Sequence, residues 1–201
     1  MEYLSQITTY KNPFVVNTSR SFPHSFKHGF VTRLTRWVPL VEPELLTLPE
    51  HYSGGSYDQS GSASDYVCLS PDPKFLKTSG LDFGRMYGAE YETNFWAANF
   101  QDEDGPCALC RTAHATTVMI PGTNVCNNGW NRQYYEYLAS GYYGYAAASS
   151  FVCVDVNPQY RISGVGDQNG KLFYNVLAKC GSLPCPPYIN DHPLTCVVCS
   201  K

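Results

Sequence analysis

Pro106-Cys107-Ala108-Leu109-Cys110 returns at the far end of the chain as Thr195-Cys196-Val197-Val198-Cys199. Two Cys-x-x-Cys pairs with the same apolar filling suggest a unit written twice. The residues upstream agree: Ala63-Ser64-Asp65-Tyr66-Val67-Cys68-Leu69 reads without a gap against Ala148-Ser149-Ser150-Phe151-Val152-Cys153-Val154. Asp72-Pro73-Lys74-Phe75 continues the match against Asn157-Pro158-Gln159-Tyr160, and Gly84-Arg85-Met86-Tyr87 follows against Gly170-Lys171-Leu172-Phe173. A period of roughly 85 residues is too long for a solenoid repeat and fits two tandem copies of one small subdomain. The expected organisation is an irregular N-terminal arm over 1–36, a first β subdomain over 37–112 and a second over 113–201.

Composition points the same way. Of 201 residues 43% are hydrophobic, which suits a packed core, while charged residues are scarce. Sixteen tyrosines, sixteen glycines and fourteen prolines favour strands joined by turns over helices. Short apolar runs at 66–69, 85–92, 117–120, 151–155 and 171–176 read as strands, the last entered by a hairpin turn at Asn169-Gly170. The fold class expected is mainly β, with two pseudo-symmetric, disulfide-stapled subdomains and little helix. A net charge of −3 without any basic cluster argues against nucleic acid and anionic membranes as partners. No apolar run is long enough to insert into a membrane.

Nine cysteines indicate an oxidising, extracellular setting, because a reducing cytosol gives them no structural role outside metal or redox chemistry. Residues 1–10 nevertheless show no signal peptide. In the arm, Asn17-Thr18-Ser19 is a glycosylation sequon, and His24 and His28 lack a third ligand for metal. The acidic run Gln101-Asp102-Glu103-Asp104-Gly105 lacks the spaced ligand pattern of a calcium loop and reads as a solvated turn.

The second half holds Cys126, Cys153, Cys180, Cys185, Cys196 and Cys199, and six thiols admit fifteen pairings. Cys107-Ala108-Leu109-Cys110, then Met119-Ile120-Pro121, then Cys126-Asn127-Asn128-Gly129-Trp130 resembles the join between the halves of the collagen IV C-terminal non-collagenous domain. The stretch 52–201 is closer still to the globular domain of short-chain, spongin-type collagen-like proteins of invertebrates. That resemblance implies a nested pairing: Cys126–Cys199, Cys153–Cys196 and Cys180–Cys185, with the Cys-x-x-Cys at the last turn. For the first half it implies Cys68–Cys107. Cys110 is left over as a free thiol beside residues 38–45, where its missing partner would stand. A rival reading gathers Cys107, Cys110, Cys196 and Cys199 into a zinc site.

No catalytic motif is present: there is no Gly-x-Ser-x-Gly, no phosphate loop and no His-Glu-x-x-His. Glu90 and Glu92 share a strand face, which reads as a solvated surface, and a Cys110–His114 dyad is weaker than a chance neighbour. The expectation is a non-catalytic extracellular assembly module without metal or cofactor, associating with itself or with other matrix proteins. No Gly-X-Y tract is present, so the chain cannot itself form a triple helix. The alternative is a secreted carbohydrate-binding protein that stacks glycans on Tyr57, Tyr142, Trp96 and Trp130.

Overall fold

The computed structural model describes residues 44–45, 50–76, 83–107, 110–111, 114–155, 158, 160 and 166–201. Twelve strands and no helix are present among them: β1 (Glu44–Leu45), β2 (Glu50–Gly54), β3 (Val67–Leu69), β4 (Tyr87–Tyr91), β5 (Glu103–Asp104), β6 (Pro106–Cys107), β7 (Cys110–Arg111), β8 (Thr117–Pro121), β9 (Asn131–Ser140), β10 (Val152–Asp155), β11 (Lys171–Asn175) and β12 (Thr195–Ser200). Ten of them form one curled, branched sheet with the path β3-β2-β4-β11-β9-β12-β8, while β1 and β7 pair separately. The arm over 1–36, the sequon at Asn17, His24 and His28 lie outside the described residues.

Two strands organise the sheet, and each has three neighbours. Tyr52 of β2 faces Cys68 of β3, Glu50 faces Cys107 of β6, and Ser53 faces Gly88 of β4. In β9, Leu138 faces Cys153 of β10, Glu136 faces Cys196 of β12, and Ala139 faces Asn175 of β11. In each case one neighbour occupies one edge and the other two follow each other along the opposite edge. The two sets join where β4 and β11 run parallel, with Tyr91 beside Phe173.

The hydrophobic core does not divide at residue 112. One cluster packs Tyr52, Tyr66, Ala89, Tyr91, Phe100 and Cys107 with Ala139, Val154 and Phe173. Strand alternation explains how the second half reaches it. Ala139 and Val154 project from one face of β9 and β10, and Tyr134, Leu138 and Cys153 project from the other, into a second cluster with Cys196 and Val198. Sheet with a core on both faces demands apolar residues at consecutive positions, and Cys196, Val197, Val198 and Cys199 are all buried. Polar atoms stitch the same seam: Tyr66 Oη donates to the Leu172 carbonyl at 2.8 Å, and Lys171 Nζ to the Ser64 carbonyl at 2.9 Å. At Gly170 a Cβ would stand 2.3 Å from the Gly88 carbonyl oxygen, so only glycine lets the two strands approach.

Several local expectations change. Cys196-Val197-Val198-Cys199 is not a turn but part of a strand, paired in unbroken register with β8 from Cys196↔Pro121 to Ser200↔Thr117. Residues three apart on a strand point to opposite faces, so the two thiols face away from each other. The strand at 171–175 is no hairpin arm. It runs parallel to β4 and antiparallel to β9. The acidic run is half strand, with Glu90 opposite Asp104 and Tyr91 opposite Glu103. β9, the longest strand, had no counterpart in the sequence reading.

β8 ends the path and pairs with no described strand on its outer side. Thr116 and Lys201 exchange both backbone hydrogen bonds at 3.0 Å, which sets the phase of the ladder. By alternation, Thr117, Met119 and Pro121 turn their backbone groups outward.

Candidate functional site

The four disulfides described are Cys68–Cys107, Cys126–Cys199, Cys153–Cys196 and Cys180–Cys185, with Cα–Cα distances of 5.5, 5.9, 5.7 and 5.8 Å. These are the pairs that the resemblance implies. The opposed faces of β12 account for two of them: Cys196 bonds β10 on one side, and Cys199 bonds Cys126 on the other. The zinc reading falls with the same observation, because Cys107, Cys196 and Cys199 are each bonded to a different cysteine. The backbone of Cys110 pairs with Leu45, within the 38–45 stretch named for it.

Beyond this frame, the feature that stands out is a cluster of tyrosines at one end of the sheet. Ser140 closes β9, and Gly141-Tyr142-Tyr143-Gly144-Tyr145 follows as a turn in which Tyr145 N donates to the Tyr142 carbonyl at 3.2 Å. Gly144 keeps the Tyr142 ring close: a Cβ there would lie 3.0 Å from Cε1 of that ring. The loop base is tied down by Ser140 Oγ to the Ser149 carbonyl at 3.2 Å and by Ala147 N to the Tyr57 carbonyl at 3.0 Å.

Five phenol rings then touch in series. Tyr143 lies 4.5 Å from Tyr142, centroid to centroid, and Tyr142 lies 5.2 Å from Tyr145 and 5.3 Å from Tyr174 of β11. Tyr145 reaches Tyr57 at 4.6 Å, and its hydroxyl shares a 3.0 Å hydrogen bond with that of Tyr174. Tyr143 is 92% exposed and Tyr142 41%, while the other three are half-buried. Burial is the main cause that pushes the Tyr174 hydroxyl well above its ordinary value, so it stays protonated at neutral pH.

Of the four aromatics named for glycan stacking, the structure brings Tyr57 and Tyr142 into this cluster. Trp96 packs instead against Tyr91 and Phe95, at 6.0 and 5.1 Å. Trp130 is half-buried at the turn entering β9, its backbone N bonded to the Asn127 carbonyl at 3.1 Å. Tyr174, read from the sequence as part of the strand at 171–176 and not as a stacking residue, completes the cluster.

The two glutamates are not a solvated face. Glu90 is only 3% exposed and accepts from the Asn169 backbone N at 3.3 Å. Glu92 lies just beyond β4, and its buried Oε2 has no hydrogen-bond partner among the described residues. Burial, with Asp102, Asp167 and Glu90 adding like charge, raises its carboxyl to about 7. Lys171, also unforeseen, is 2% exposed and lies over the Tyr66 ring at 4.7 Å; burial lowers its pKa. His114 meets the side-chain amide of Asn131 at 3.3 Å. Among the described residues no group of three or more acidic, histidine or cysteine side chains is arranged to hold a metal ion.

Frame and cluster together define a disulfide-stapled, mainly β protein that presents a tyrosine-rich loop. No known protein family, curated protein or solved structure matches the chain. Four disulfides fit an oxidising compartment. No helix among the described residues is long and apolar enough to cross a membrane.

Proposed function

We propose that this chain is a non-catalytic extracellular association module that joins copies of itself or other matrix proteins through the tyrosine loop. The observation that carries the reading is Tyr143, 92% exposed at the tip of a loop whose base is fixed to the sheet. Tyrosine supplies a large contact area at low side-chain entropy cost, and a held loop loses little further freedom on binding. Eight bonded cysteines support a secreted setting, and the likeness to the globular domain of short-chain collagen-like proteins supports a matrix context. The matching neighbour sets of β2 and β9 support an origin by tandem duplication.

The carbohydrate-binding reading keeps one specific support, the meeting of Tyr57 and Tyr142 in a single cluster through Tyr145. Sedimentation velocity and a glycan array, each run with native protein and with Tyr143→Ala, separate the two. Concentration-dependent association that Tyr143→Ala abolishes is the expected result. A monomer at all concentrations that binds glycans would transfer the function to the second reading, and a monomer that binds none would overturn self-association and glycan binding alike.

A further inference from the structure

We propose that Tyr143 is a site of oxidative tyrosine coupling, forming a covalent carbon–carbon crosslink between two copies of this chain. The inference rests on the association reading only in taking a second copy as the partner. Its own basis is the arrangement of the phenols.

Coupling needs a ring that meets an oxidant, a way to keep the radical alive, and a second ring free to approach. Tyr143 meets the first requirement, because almost all of its ring is in solvent. Tyr142 meets the second. Its ring centre lies 4.5 Å away, and Tyr145 and Tyr174 lie a further 5.2 and 5.3 Å beyond. An electron vacancy made anywhere in the cluster can therefore pass between touching rings. The Tyr145–Tyr174 hydroxyl pair at 3.0 Å lets a proton shift with it. Tyr57, Tyr145 and Tyr174 are half-buried and Tyr142 is 41% exposed, so Tyr143 is the most open of the five phenols. A second copy meets the third requirement, since two loops facing across a two-fold axis present the same ring to each other. A net charge of −3 offers little repulsion to that approach.

The oxidant is a haem peroxidase with hydrogen peroxide. Each Tyr143 gives one electron and one proton to the oxidised haem, and the peroxide is reduced to two waters. The two radicals join through the ring carbons beside their oxygens. Each ring then moves the hydrogen from that carbon to its own oxygen, restoring the phenol. The product is a dityrosine, lighter than two tyrosines by two hydrogens, and it survives reduction.

The test treats purified protein with the peroxidase and peroxide, then reads reducing gels, dityrosine fluorescence and crosslinked peptides by mass spectrometry. Native protein should give a non-reducible dimer whose linked peptides both contain Tyr143. Tyr143→Phe keeps the apolar ring but cannot couple, so it should still associate in sedimentation while losing the dimer band and the fluorescence. Tyr160→Phe, at an exposed tyrosine outside the cluster, should leave the yield unchanged. A dimer undiminished in Tyr143→Phe, or linked peptides carrying Tyr3, Tyr10 or Tyr160 instead, would overturn the assignment. Association without any crosslink would overturn the coupling and leave the association reading standing. Crosslinking through Tyr143 without prior association would uphold the coupling and overturn that reading.

Discussion

The Phe173 ring lies flat against the Tyr66 ring, with centroids 4.7 Å apart and planes within 9°. Tyr52 closes on both rings edge-on, at 4.7 Å from Phe173 and 5.5 Å from Tyr66. A side chain from the second half thus fills the core of the first. Phe173→Ala should cost roughly 3–5 kcal/mol, as for a large buried aromatic. Chemical denaturation should remain one transition, because the core of the first half includes Ala139, Val154 and Phe173 of the second. Two separated transitions would refute the shared core.

Gly170→Ala should destabilise by about 1–3 kcal/mol or more, because the new methyl meets the backbone of Gly88 rather than a movable side chain. Gly61→Ala, where nothing stands within 4 Å, is the matched control and should change little. Urea midpoints of the two variants check this.

Stability should fall as pH rises through the acid range. Glu92 ionises near 7 in the folded chain and near its ordinary 4.5 when unfolded. Between those values the folded state binds more protons than the unfolded one. The stability this provides is complete below about 4.5 and is lost as pH passes 7. Glu90 and Glu136 are shifted upward too, chiefly by burial, and act with the same sign. Melting temperatures between these pH values should decline, and Glu92→Gln should flatten the profile. A profile that climbs over this range, or one unchanged in Glu92→Gln, would refute the role of this carboxyl.

The disulfides should differ in weight according to the loop each closes. Cys153–Cys196 spans 43 residues and Cys180–Cys185 only 5. Chain entropy gives about 4 kcal/mol for the first and about 2 kcal/mol for the second. Paired serine replacements, followed by denaturation, should reproduce that order.

Eight of the nine cysteines are bonded, so alkylation of the native protein should label Cys110. Peptide mapping that finds the label on Cys68 or Cys107 would refute the pairing in the first half.

Strand content was legible because short apolar runs closed by proline and glycine have few other readings. β9 was not, because Tyr134 and Leu138 serve one core and Ala139 the opposite one, which blurs the alternation that marks a half-buried strand. The same double burial disguised Cys196 and Cys199, whose Cys-x-x-Cys spacing suggested a turn while the residues between them packed as strand. The disulfide pairs themselves were not deducible from spacing. Of the site, the aromatics were visible as residues, but not which loops would meet. Tyr57 and Tyr145 touch where the Ala147 N to Tyr57 carbonyl bond ties the two loops together, and Trp96 packs against Tyr91 and Phe95.

Pro121 stands on the outward-facing phase of the last strand in the path. Its ring therefore costs the β8–β12 ladder no bond, yet it leaves this edge, which no described strand covers, short of a donor. A foreign strand that tried to extend the sheet there would meet, at Pro121, a carbonyl without a matching N–H. Exposed strand edges are where β proteins begin to pair into fibrils, and this one is blunted by a single imino acid.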